Sequence, residues 1–146
     1  MRNSISGTAL LSIIASILNL SASSQVIKAS KVPKTVKSKI YSLYPAVTKI
    51  IWTQEKENFE AEFNNKGLTT SILIDKLGKL IESEVSIAPS TLPEDVLKSV
   101  KASFPGKRIA EAAIIDTDGI KTYEAEVEGI DHIYTVDGKL VKSVKD

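Results

Sequence analysis

Apolar and polar positions follow two rhythms along this chain, and the same succession of rhythms occurs twice. Val36, Ile40 and Tyr44 recur at intervals of four between Pro33 and Pro45, which puts them on one face of a helix. Val96, Val100 and Phe104 do the same between Pro93 and Pro105. Proline fits the first helical turn and stops a helix when it comes later, so each pair brackets about three turns. Thr91 followed by Glu94 reads as a capping box at the second helix start. Past each helix the period shortens to two. Phe59-Glu60-Ala61-Glu62-Phe63 and Tyr123-Glu124-Ala125-Glu126-Val127 alternate apolar and acidic, so each turns one face to a core and its glutamates to the other. Each stretch then closes on a glycine, a lysine and two apolar residues, Gly78 to Ile81 and Gly138 to Val141.

These rhythms predict a helix near 33–43 followed by strands near 47–55, 57–64, 68–75 and 79–87. They predict a second helix near 93–103 with strands near 107–116, 120–128, 130–136 and 139–145. Asn65-Lys66-Gly67, Asp118-Gly119, Glu128-Gly129 and Asp137-Gly138 supply hairpin chemistry at the breaks. The helices and closing glycines are displaced by 60 residues and the acidic strands by 64. Such slippage belongs at hairpin tips. The expected fold is α+β: two tandem units, 25–90 and 91–146, each a helix on a four-stranded antiparallel sheet, joined by the linker Ser86 to Pro93.

The first 24 residues stand apart. Arg2 is the only charge before Lys28, and Ala9 to Leu20 is apolar except for Ser12, Ser16 and Asn19. Small residues follow, Ser21 to Ser24. A basic start, a short apolar core and a small-residue exit make a secretory signal peptide over 1–24, cleaved after Ala22 or Ser24. A membrane anchor is the other reading, but the run is short against the roughly 20 apolar residues a spanning helix needs. The expected location is periplasmic or secreted. The chain has no cysteine, so an apolar core must hold it together without disulfides, and no lipidated cysteine follows the leader.

A net charge of +1 gives no electrostatic case for nucleic acid or an anionic membrane as partner. Membrane contact is expected only through the signal peptide before cleavage. Residues 25–90 carry ten lysines against seven acids, and residues 91–146 carry eight basic residues against eleven acids. Opposite balances of this kind suit two halves that pack closely.

Candidate chemistry is thin. His132 is the only histidine, so no histidine cluster for a metal can form, and a structural or solvent-exposed ring is expected. Asp116-Thr117-Asp118-Gly119 starts like a calcium loop, but Ile120, Lys121 and Val127 occupy ligand or glycine positions, leaving a hairpin turn. No catalytic residue, metal or cofactor is expected. Glu60 and Glu62, with Glu124, Glu126 and Glu128, form acidic rows opposite the helices, where a sheet covered on one side ordinarily meets water. Lys49, Lys79 and Lys142 are placed to offset them across strands. Ile51 faces outward beside the glutamates if Trp52, the single tryptophan, goes into the core. These five residues, Glu60, Glu62, Glu124, Glu126 and Ile51, are the candidate partner-binding face.

The segment VPKTVKSKIYSLYP (Val32 to Pro45), the IIW that follows, the FEAEF strand and the DKLGKLIESE ending resemble PepSY-like proteins, also described as beta-lactamase-inhibitor-protein-like. These are exported proteins common in Bacteroides and its relatives. The resemblance runs from about Val32 to Asp146, in two copies. It implies a helix on a four-stranded sheet, repeated into a larger concave sheet, with no shared catalytic residues. The second copy departs in having Ala112 or Ala113 near the place of Trp52. The functional expectation is an exported non-enzymatic protein-binding module, an inhibitor or regulator of an envelope or secreted enzyme being one form of it, with another exported protein as partner. A small-ligand or glycan-binding periplasmic module is the alternative.

Overall fold

A computed structural model describes residues 24–145, so the expected signal peptide lies, but for Ser24, outside the described residues. Among the described residues, nine strands form one continuous antiparallel sheet in strict chain order. They are β1 (Gln25–Ile27), β2 (Ile51–Glu55), β3 (Asn58–Asn65), β4 (Leu68–Asp75) and β5 (Leu80–Ile87), then β6 (Ala112–Thr117), β7 (Ile120–Val127), β8 (Ile130–Tyr134) and β9 (Leu140–Lys145). Helix α1 (Lys34–Leu43) joins β1 to β2, and α2 (Glu94–Ser103) joins β5 to β6.

This corrects the expectation of two tandem helix-plus-four-strand units. Strand β5 pairs with β6 over six residue pairs, Glu82 with Thr117 through Ile87 with Ala112. The ladder therefore runs unbroken past the place where the units were to be divided, and the molecule is mostly sheet. Backbone groups explain the result: two separate sheets would each leave a bare edge of unpaired N–H and C=O groups, and joining β5 to β6 satisfies both. Strand β1, pairing Gln25 to Ile27 with Gln54 to Trp52, was not foreseen either. The stretches before β2 and β6 also stay out of regular strand, so those strands start later than 47 and 107.

Both helices sit on one side of the sheet. Val36 and Ile40 of α1 are fully buried against Trp52, Phe59, Ala61, Phe63, Ile72 and Ile74. Val96 and Val100 of α2 pack with Ala112, Ala125, Val127 and Tyr134. Burying each such aliphatic side chain contributes about 1.5–3 kcal/mol. Trp52 is 3% exposed and lies in the core, while Ile51 points away from the helices and is 44% exposed. Tyr44 ends α1 with its ring 4.8 Å from that of Phe63. The expected capping box does not form. Thr91 sits in a 3-10 turn, Pro89–Thr91, and its hydroxyl donates to the Ala88 carbonyl at 2.7 Å. Pro93 occupies the cap position without a side-chain hydrogen bond.

Each helix also grips a hairpin. Thr35 Oγ1 donates to the Lys76 carbonyl at 2.9 Å, and Ser99 Oγ donates to the Gly138 carbonyl at 2.6 Å. The second bond is partly buried. Ser99→Ala is expected to lower stability by about 1 kcal/mol, read as a lower urea midpoint at unchanged slope. A midpoint equal to that of the parent chain would show that the bond adds nothing.

A candidate site: the acidic concave face

Strand alternation sends Glu60, Glu62, Glu82, Glu84, Glu124 and Glu126 to the face opposite the helices, with Asp131 and Lys142. An uncovered sheet face should be wet, yet much of this one is not. Ser71, Leu73, Glu82, Glu84, Ala113, Ile115, Asp131 and Ile133 are all buried without any helix above them. Curvature is the cause. Register shifts between Leu73 and Ile74 and between Ile133 and Tyr134 break the regular pairing of β4 with β5 and β8 with β9, and such irregularities bend strands and increase twist. The sheet curls so far that Lys142 on β9 feels the charge of Glu82 on β5. The helix-free face is thus a concave trough with a low-dielectric floor.

The trough raises the proton affinity of its own carboxyls. Burial, only partly offset by the Ser71 hydroxyl donating to Glu60 Oε1 at 2.6 Å, pushes Glu60 up to about 7. Burial and then the neighbouring Glu124 charge push Glu84 up to about 9. Glu82 is raised by burial despite a 3.0 Å hydrogen bond from Thr117, and Glu62 is raised by burial. Glu84 Oε2 is closed to solvent and has no hydrogen-bond partner. A buried carboxylate oxygen in that state is costly unless it carries a proton or meets a cation. A cavity of about 320 Å³ opens here, and the carboxylates Glu62, Glu84, Glu111 and Glu124 line it together with Ser71, Ser86, Ile87, Pro89 and Ala113.

Of the sequence-predicted site residues, Glu62 and Glu124 line this cavity and Glu60 stands beside it, held by Ser71. Glu126 is half-buried further along β7, opposite Asp131, and Ile51 lies on β2, opposite Glu62. The residues with the strongest burial, Glu82 and Glu84, were not singled out. Their signal was present in the alternation of Glu82-Ser83-Glu84-Val85; what was missing was that β5 lies mid-sheet. Lys142 does share the face, but Lys49 is exposed in the segment before β2 and Lys79 is exposed in a turn. His132 belongs elsewhere: it is 5% exposed on the helix side, with Nδ1 2.7 Å from Ser143 Oγ and its ring 4.5 Å from that of Phe104. It therefore cannot share a proton with the acidic face. Among the described residues, no group of three or more His, Cys, Asp or Glu is placed to hold a metal ion. Asp116 to Gly119 makes the expected hairpin, the Gly119 N–H donating to Asp116 Oδ1 at 2.9 Å.

The same curved-sheet architecture occurs in solved structures. A DUF2874 family protein from Bacteroides uniformis matches with a TM-score of 0.70 at 15% identity, over 77% of this chain and 88% of that one. A BLIP-like protein from Bacteroides fragilis matches at 0.65 with 20% identity, over 78% and 88%. A provisionally periplasmic protein from Bacteroides eggerthii matches at 0.70 with 16% identity, over 77% and 87%. At these identities the likeness establishes the fold and not an activity. No family model matches the chain, and no curated protein matches it.

Proposed function

We propose that this chain is an exported, non-enzymatic protein-binding module whose contact surface is the acidic concave face, and that its partner is another exported protein with a basic surface. The leader-like composition of residues 1–24 supports export, as does the likeness in fold to a provisionally periplasmic protein. A regulatory or inhibitory role toward an envelope enzyme is the form that the resemblance to the beta-lactamase-inhibitor-like class suggests. The observation that carries the reading is the trough itself: carboxylates crowd one concave face, and Lys142 is the one strand lysine among the described residues facing the same way. A face so unbalanced draws a basic partner and rejects acidic ones. The cavity is walled by carboxylates and hydroxyls as much as by apolar groups, which favours a protein over an apolar small ligand.

Crosslinked capture from the native envelope followed by affinity measurement tests this. Glu62→Lys with Glu126→Lys is expected to weaken the captured partner at least tenfold, chiefly through a slower on-rate, and to reduce the salt dependence of binding. A partner indifferent to both charge reversals and to Ile51→Ala does not bind this face, and the reading fails.

A further inference from the structure

The cavity on the concave face has a lining of mixed chemistry. Ile87 and Pro89 share it with four carboxylates, Glu62, Glu84, Glu111 and Glu124. At about 320 Å³ it has room for one long side chain and is small for a folded element. Glu84 is 9% exposed, lines the cavity, and holds an oxygen without a partner. Buried polar atoms in folded proteins are almost always satisfied, so an orphan of this kind is relieved by a proton in the free protein or by a positive group that arrives from outside.

We infer that this cavity receives one alkylammonium or guanidinium group, presented as a lysine or arginine side chain of the bound protein, with Glu84 and Glu124 closing on the cation and Ile87 and Pro89 covering its aliphatic stem. Long basic side chains bury their stems along apolar surface while their heads seek charge and hydrogen bonds. A metal ion fits worse, since among the described residues no group of three or more His, Cys, Asp or Glu is placed to hold one. The cation also answers the electrostatics. Glu60, Glu82, Glu124 and Asp131 all act on Glu84 and raise its proton affinity, so an arriving positive charge displaces a proton that the free trough keeps.

The inference rests on the protein-binding reading of this face, and the test separates the two. The purified protein, labelled with 15N, is titrated at pH 7 with Nα-acetyl-lysine methylamide, its Nε-acetylated form, the arginine analogue and spermidine. Saturable amide shifts confined to Ser86, Ala113, Glu124 and their neighbours are expected with the lysine and arginine probes and absent with the acetylated one. Calorimetry in two buffers of different ionisation enthalpy should show proton release. Glu84→Gln, which matches a protonated glutamate in shape and charge, is expected to keep the fold, weaken the lysine probe at least tenfold and abolish the release. Should Glu84→Gln perturb the fold, proton release by the parent protein decides instead. Shifts by the acetylated probe equal to those of the lysine probe, or undiminished binding by Glu84→Gln, overturn the cavity assignment alone. Spermidine binding tenfold tighter than both side-chain probes overturns the protein source of the cation. A cavity that takes the lysine probe while the captured partner ignores Glu62→Lys upholds the cation site and sinks the docking role.

Discussion

Replacing Gly138 by alanine is expected to cost this protein about 3–5 kcal/mol, while the same change at Gly78 costs about 1–2 kcal/mol. Both glycines close the hairpin that a helix grips, and both hold left-handed backbone, with φ of +79° and +88°. A side chain is strained at either place by the carbonyl that follows it. The difference is space. At Gly78 an added methyl group would meet the Thr35 carbonyl oxygen at 3.4 Å, a contact that a small adjustment relieves. At Gly138 it would stand 2.8 Å from the Asp95 carbonyl carbon and 2.7 Å from Ser99 Oγ, closer still to the Asp95 oxygen. Helix backbone cannot give way cheaply, so α2 must lift from the β8–β9 turn and lose the Ser99 bond with it. Urea denaturation of both variants against the parent checks this, and equal losses would show that α2 is free to shift.

Raising the pH from about 6 to about 9 is expected to destabilise the fold by up to about 5 kcal/mol. Glu60 and Glu84 have ordinary values of 4.5 when unfolded and hold their protons to about 7 and about 9 when folded. Between those limits the folded chain binds more protons than the unfolded one, so stability falls as pH rises through the window. The loss from Glu60 is complete near 7 and that from Glu84 near 9. Glu62 and Glu82 shift in the same direction. His132 acts oppositely, since burial lowers its pKa from 6.5; the stability of keeping it neutral is present above 6.5 and is lost as pH falls. Four carboxyls against one imidazole place the optimum on the mildly acidic side. Melting temperatures across pH 5 to 9 give the profile. Glu84→Gln should flatten its upper arm and leave the lower part, set by Glu60, in place. A parent chain equally stable at 6 and 9 would show that the trough lets in enough water to ionise both carboxyls freely.

Local features were legible in the sequence because each depends on a few adjacent residues. The proline brackets located both helices to within a residue or so, and Phe59 to Phe63 announced which strand face is apolar. The lys-gly, asp-gly and glu-gly turns at Lys66-Gly67, Asp118-Gly119 and Glu128-Gly129 all have positive φ at both positions, as hairpin turns of this type require. Features that depend on distant pairing were not legible in the residues themselves, although the family resemblance implied a larger concave sheet. No residue near Ser86 or Ala113 announces that β5 meets β6, and without that contact Glu82 and Glu84 read as a wet strand face. The bulges at Leu73/Ile74 and Ile133/Tyr134 carry no glycine or proline to mark them. Trp52 and Ile51 were placed by simple alternation, whereas Thr91 misled because its hydroxyl is taken by the turn before the helix.

Strict chain order in the sheet has a kinetic consequence. Every strand from β2 to β9 pairs with the strand made just before it, and no crossover waits for a distant segment. Loop closure is the chief entropic barrier to assembling a sheet, and here each closure is short except where α1 and α2 intervene. A chain threaded through a membrane pore, as proposed for this one, emerges in order from its amino end. Each hairpin can add to the edge left by its predecessor, so assembly need not wait for the carboxyl end to cross. Only the trough is finished late, since it closes when β9 brings Lys142 round to the glutamates of β5.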